Sequence, residues 1–365
     1  SIATCNFILI FLIIFFNNMM KETISIDGSY GEGGGQILRT ACALSVITAK
    51  PVRIFNIRAN RPNPGLRTQH IKVIESLAHI SCGRYEGVKL GSKEVWFFPG
   101  EGIRDKVKVK IETAGSAGLV LESLLIAAMR CRKRISLEID GGATFGAFAP
   151  PLPYIQYVIL PILRKMGYHA EINIIRHGFY PAGGAKVKAT IIPPKALAPV
   201  SFENPFSAKL VNILSVASKH LKKAKVAERQ ARSAEKLLNE YGCGVEIKTM
   251  YADSISVGSG IVLSSKTFSG SVVGSDSLGE KGKLAEEVGY EAAQGLLACL
   301  DKATLDIHAA DQILPFISFA KGTSIFTTPE LSMHAKTNIW VIERFLGKLF
   351  AIKHKNNVFV VECKP

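Results

Sequence analysis

The 365 residues contain no CxxC pair, and the seven cysteines stand singly at Cys5, Cys42, Cys82, Cys131, Cys243, Cys299 and Cys363. An odd, scattered set fits neither a zinc site nor a secreted disulfide framework, and points to a reducing cytoplasm. Acids are scarce too: 30 Asp and Glu against 45 Lys and Arg leave a formal charge of +15. That imbalance favours polyanionic partners, nucleic acid ahead of a membrane surface or a cationic ligand, and is silent about fold. An apolar run of spanning length is also missing. Phe7 to Phe16 is too short to cross a bilayer comfortably and lacks the basic flank of a signal peptide. A βα pattern starts directly after Met19 and Met20, so residues 1–20 are expected to be a misassigned gene start, with a membrane anchor as the alternative.

What is present is a repeat. Three segments share a Gly-containing turn, a helix-length apolar stretch and a β-rich strand, opening at Gly31, Thr113 and Gly274. Each is followed by a second amphipathic helix, at 69–80, 152–166 and 335–350, and by alternating strands such as VKVKIE. The unit reads β-α-β-α-β-β. The second spacing between openings is roughly twice the first, and the surplus follows the Pro-rich breaker PPKALAPV. The expected organisation is α/β (α+β): a repeat domain of residues 21–196 and 273–365, with a smaller α/β domain inserted at 197–272. The insert carries a basic helix with Lys222, Lys223, Lys225, Arg229, Arg232 and Lys236, which either tracks a nucleic-acid backbone or is a solvated face.

The densest chemistry lies between Ile26 and His70. Four glycines, Gly31, Gly33, Gly34 and Gly35, surround Glu32, and Arg39, Arg58, Arg61, Arg67 and His70 follow. Glycine lets successive N–H groups converge on an anion at a helix entrance, and guanidinium forks match phosphate oxygens. A phosphate-rich substrate is the reading. A lone carboxylate in such a setting is self-defeating unless it holds a divalent cation, Mg2+ or Mn2+; the alternative is a first-turn acid on the helix dipole.

The blocks IDGSYGEGGGQILR, RANRPNPGLRTQH, TAGSAGLVLE, RHGFYPAGGA, ADQ and HAKTNIWVIERFL, in that order, resemble the RNA 3′-terminal phosphate cyclase family. The resemblance runs from residue 24 to the C-terminus outside the insert. It implies three β-α-β-α-β-β units with an inserted α/β domain, and ATP-dependent conversion of an RNA 3′-phosphate into a 2′,3′-cyclic phosphodiester through a covalent histidine-AMP. It also implies His334 as nucleophile, an ATP site at Glu122, Pro150, His308, Ala309, Ala310, Asp311 and Gln312, phosphate contacts from Arg39, Arg58, Arg61, Gln69 and His70, and a metal at Glu32. Glu122 stands where relatives commonly carry glutamine, His308 where tyrosine is common, and Ala185 where a third glycine is usual. A non-catalytic RNA-binding relative and an enolpyruvyl transferase on the same scaffold are the competing classes. RNA with a 3′-phosphate end and ATP are the expected partners, with no membrane; oligomeric state is left open.

Overall fold

A computed structural model describes residues 23–365; the expected extension at 1–20 lies outside them. The described residues begin with β1 (Ile24–Asp27), α1 (Gly35–Thr48), β2 (Val52–Phe55), α2 (Thr68–Ile80), β3 (Arg84–Glu86) and β4 (Val95–Phe98). β1 and β2 are parallel, β4 is antiparallel to both β2 and β3, and the order is β1-β2-β4-β3. The next six elements repeat this: β5 (Lys106–Ser116), α3 (Ala117–Ala128), β6 (Ile135–Ala143), α4 (152–165), β7 (His169–Arg176) and β8 (Lys186–Ile192). Their sheet has the order β5-β6-β8-β7 with the same strand directions. Local pattern explains the elements. Val107, Val109 and Ile111 of β5 are buried while Lys106, Lys108 and Lys110 between them are exposed, the period of two that a one-sided sheet requires. α3 is apolar on nearly every side and lies buried over almost all its length, as an all-round hydrophobic helix must.

The insert follows as β9 (Ser207–Ser218), α5 (Val226–Glu240), β10 (Gly244–Ala252), β11 (Ser259–Thr267), β12 (Val272–Leu278) and α6 (Ala285–Cys299). Its sheet runs β10-β9-β11-β12, and a second apolar core joins Val211, Ile213 and Val273 of the sheet to Leu238 of α5 and Val288 and Leu296 of α6. This differs from the sequence expectation, which ended the insert at 272 and gave the helix after Gly274 to the third repeat. A Gly-containing turn followed by a helix also closes the insert, so the repeat grammar matched the wrong segment. α6 is bound to α5 by close approach: a Cβ on Gly289 would lie 2.0 Å from the Gln230 carbonyl oxygen. Lys222, Lys223 and Lys225 precede α5 and are not on it. Arg229 is spent on Glu286, to which Nε and Nη2 each donate at 2.7 Å.

The chain ends with α7 (Ile307–Ile317), β13 (Ser324–Thr328), α8 (Met333–Leu346), β14 (Phe350–Lys355) and β15 (Val358–Cys363), the strands ordered β13-β15-β14. Alongside β13 runs the segment before the insert: Ile325 N donates to Val200 O and Phe202 N to Ile325 O, both at 2.8 Å, in parallel register. Residues 200–202 thus occupy the place that β1 and β5 hold in their sheets, and the insert interrupts the chain between that segment and α7.

One carboxylate ties these parts together. Asp306 caps α7 by accepting from His308 N and Ala309 N at 3.0 Å through Oδ1, which also accepts from the Tyr154 hydroxyl of α4 at 2.6 Å; Oδ2 accepts from Gly274 N of β12 at 2.8 Å. Replacing it strands buried donors from three parts of the chain. Asp306→Ala is expected to lower unfolding free energy by about 3 kcal/mol, and Tyr154→Phe by about 1 kcal/mol, measured by urea denaturation.

Candidate active site

The glycine turn opens α1. Gly31 and Gly33 have φ of +60° and +57°, values that side-chain-bearing residues rarely adopt, and Gly35 packs so closely on His70 that a Cβ would lie 2.1 Å from Nε2. The turn presents Glu32. Its Oε2 accepts from Arg61 Nη2 at 3.1 Å and lies 3.5 Å from His334 Nε2. His334 is in the first turn of α8, whose N-cap Ser332 accepts from Ala335 N at 3.0 Å.

α1 and α8 meet along a seam of side-chain hydrogen bonds. Gln36 Oε1 receives the bond from His334 Nδ1, and one turn further along both helices Thr40 Oγ1 donates to Asn338 Oδ1 at 2.7 Å. Asn338 Nδ2 in turn donates to the Asp311 carbonyl of α7 at 3.1 Å. With Nδ1 donating to an amide oxygen, the neutral imidazole carries its lone pair on Nε2. Burial holds the His334 pKa below the usual 6.5; Glu32 opposes the shift, and Arg39, His308 and Arg61 add to it. The ring is therefore neutral near neutral pH.

His334 opens onto a cleft of about 450 Å³. Of the residues expected from sequence, Arg39, Glu122, Pro150, His308, Asp311, Gln312 and His334 all line it. Arg39 faces two carboxyls: burial raises the pKa of Glu122, and raises that of Asp311 further with Glu122 adding to it, while Arg39 opposes both shifts. Gln312 Oε1 is buried and has no hydrogen-bond partner among the described residues, an acceptor left for an incoming donor. Ala309 and Ala310 do not line the cleft. They are buried, and their N–H groups are taken by Asp306.

Arg58, Arg61, Gln69 and His70 lie outside the cleft lining, on the Glu32 side. Arg58 Nη1 donates to the carbonyls of Asn63 at 2.6 Å and Gly65 at 3.1 Å, and its pKa is lowered by burial, then by Arg67 and Arg61. These arginines are thus mutually close, with Glu32 as their one ion-pair partner among the described residues, a positive cluster suited to an anion. His70 is buried. Its Nδ1 accepts from Arg67 N at 3.0 Å, so it supports the turn from beneath. In RHGFYPAGGA, Gly183 and Gly184 have φ of +69° and +80° whereas Ala185 does not fall in the left-handed region, which is why alanine is tolerated there.

Sequence reasoning passed over Gln36, although it stands inside the quoted motif, one helical turn before Thr40. It also missed Phe148, and Asp276 and Glu280, which reach the cleft from the insert's β12 and the turn after it. Burial pushes the Asp276 carboxyl up to about 6, with His308 opposing. No local signal marks these two acids as cleft residues.

A sequence profile of the RNA 3′-terminal phosphate cyclase family matches residues 30–352, nearly the whole chain. The chain belongs to this family. Similar curated relatives named RNA 3′-terminal phosphate cyclase include those of Pyrococcus furiosus, 44% identical over 90% of this chain and 95% of the relative, and Archaeoglobus fulgidus, 43% identical over 93% and 100%. Another, from Thermococcus gammatolerans, is 46% identical over 91% of this chain and 95% of its own. Among solved structures, the enolpyruvyl transferase NikO of Streptomyces tendae covers 92% of this chain and 47% of its own at 12% identity and a TM-score of 0.37, too remote to carry an argument. Family membership makes this an enzyme scaffold and leaves the individual residue roles to chemistry.

Burial, then Arg39, Arg58 and Arg67, depress the His70 pKa from 6.5 to about 3. The unfolded chain therefore binds a proton that the folded chain refuses. Stability is full above pH 6.5 and is lost as pH falls toward 3. At pH 4 the loss attributable to His70 is on the order of 3 kcal/mol. His70→Gln, which keeps an acceptor for Arg67 N, should flatten the acid limb of a urea-denaturation series by that amount.

Proposed function

We propose that this protein uses ATP to convert an RNA 3′-terminal phosphate into a 2′,3′-cyclic phosphodiester, with His334 as the nucleophile. The observation that carries the reading is His334 itself: a neutral ring with Nδ1 held by Gln36, and Nε2 at the junction of the cleft and the arginine cluster. In the first step the Nε2 lone pair attacks the α-phosphorus of ATP. A P–N bond forms, the bond to the bridging oxygen breaks, and pyrophosphate leaves. In the second, an oxygen of the RNA 3′-phosphate takes the AMP, restoring the neutral imidazole. In the third, the neighbouring 2′-hydroxyl attacks the 3′-phosphorus, loses its proton, and AMP departs.

Each residue set has a physical task. Arg39 and the Arg58, Arg61 and Arg67 cluster neutralise charge as phosphoryl bonds exchange. The half-buried Glu122 and the buried Asp311 and Gln312 offer directional hydrogen bonds to the nucleotide, and His308, exposed at the rim, offers a flat ring for the base. Glu32 fits a divalent cation as a single carboxylate ligand. Its Oε1 has no recorded partner, and no group of three His, Cys, Asp or Glu able to hold an ion occurs among the described residues. Phosphate oxygens and water would complete the shell, as Mg2+ prefers, and a bound ion would supply charge neutralisation to the triphosphate. No helix among the described residues is long and apolar enough to cross a membrane.

ATP labelled at the α-phosphate should leave label on the denatured protein, and His334→Ala should abolish it while far-UV circular dichroism is retained. Retained label in that variant would move the nucleophile elsewhere. Gln36→Ala frees the ring to rotate and to take the other tautomer, so adenylylation should slow by at least roughly tenfold. Glu32→Ala should shift the divalent-cation dependence of labelling; an unchanged cation titration would make Glu32 structural.

A further inference from the structure

We propose that the unpaired bases adjoining the RNA's terminal phosphate stack on Phe148 and Tyr180, two exposed rings on neighbouring loops, the first of them in the cleft lining. This rests on the reading above and extends it from the phosphate to the strand behind it.

Phe148 lies between β6 and α4. It lines the cleft, yet its side chain is fully in water and its backbone is left-handed at φ +59°. An apolar ring at a strained position is not a packing solution, and such outliers gather where ligands bind. Tyr180 is 78% exposed on the turn at 178–184. The two loops are built as one piece. Phe145 stacks on Phe179 with centroids 5.9 Å apart and planes within 15°, the buried His177 packs on both rings, and Thr144 N donates to Gly178 O at 2.9 Å. The insert seals this base from behind, because Gly258 and Gly260 approach so closely that a Cβ would lie 2.4 Å from Phe179 and 2.3 Å from Phe145.

Position and charge select the occupant. The turn at 178–184 sits on the phosphate side of the site: Gly183 packs on the Thr113 carbonyl, and Gly115 packs on Gln69. Arg176 Nε donates to Gly184 O at 2.7 Å, and the guanidinium has no carboxylate partner among the described residues. A chain carrying one phosphate per base meets Arg176 at the Tyr180 turn and Arg39 in the cleft that Phe148 lines. ATP supplies a single base, and Tyr180 is not in the cleft lining, so one nucleotide cannot occupy both rings. Single-stranded RNA does so with little regard to sequence, since every base has a π-face.

The test titrates the full chain, without ATP, into a 3′-phosphorylated single-stranded oligoribonucleotide bearing 2-aminopurine next to its end. Binding should quench the fluorescence. Phe148→Ala and Tyr180→Ala should each weaken affinity by about tenfold and relieve the quench, tryptophan at either position should restore both, and leucine should not. Leucine performing as well as tryptophan, or affinities within twofold of wild type, would overturn the platform. A Phe148→Ala variant that binds RNA normally but needs more ATP for adenylylation would assign that ring to the adenine and overturn its half of the proposal. Because binding is read without chemistry, RNA that binds and quenches in a protein that never adenylylates would remove the proposed reaction and leave the platform standing.

Discussion

Two hydrogen bonds one helical turn apart, His334 to Gln36 and Thr40 to Asn338, fix how α1 and α8 lie against each other. Their partners are 298 residues apart in sequence. Because both bonds step forward by one turn on each helix, they set a parallel register, and a slip of one residue would break both at once. Everything chemical hangs from that seam. Glu32 and Arg39 flank it on the first helix and its entrance, His334 sits at its start, and Asn338 passes the constraint to α7 through the Asp311 carbonyl. Buried polar bonds of this kind specify one arrangement because any other leaves donors and acceptors unpaired.

Charge is distributed around the seam in two unlike halves. In the cleft, one guanidinium is set against the buried Asp311 and the half-buried Glu122, and the low polarity around them raises both carboxyl pKa values. Outside it, Arg58, Arg61 and Arg67 lie close together, and Arg61 alone pairs with the Glu32 carboxylate. His334 stands where these halves meet, its ring neutral and held at one nitrogen by Gln36. The insert contributes as well. Asp276 and Glu280 reach the same cleft, and Asp306 joins β12 to α4 and α7, so the inserted sheet is part of the site's wall.

Much of this was legible beforehand, and unevenly. Alternation in VKVKIE and the all-apolar helix after it were readable because a period of two and an uninterrupted apolar helix each have one economical burial. Seven cleft residues were found through motif resemblance. The end of the insert was misplaced because α6 obeys the same local grammar as a repeat helix, and only its packing on α5 separates the two. Lys222, Lys223 and Lys225 were drawn into the basic helix because charge marks composition and not the helix start, which the left-handed Lys225 sets. His70 entered the phosphate set through the resemblance, and nothing local in the sequence marks that it lies buried beneath the glycine turn with Nδ1 held by Arg67 N.

By itself, then, the sequence determined the strand and helix types, the first two repeat units and the family, since these depend on local periodicity and contiguous motifs. Tertiary structure decided which helix the insert keeps, that Gln36 holds the His334 ring, that Ala309 and Ala310 face away from the cleft, and that Asp276 faces into it. The physical reason is the same in each case. Those outcomes depend on which distant group fills the space beside a residue, and the burial, pairing and pKa of a side chain belong to that neighbourhood, not to the residue's place along the chain.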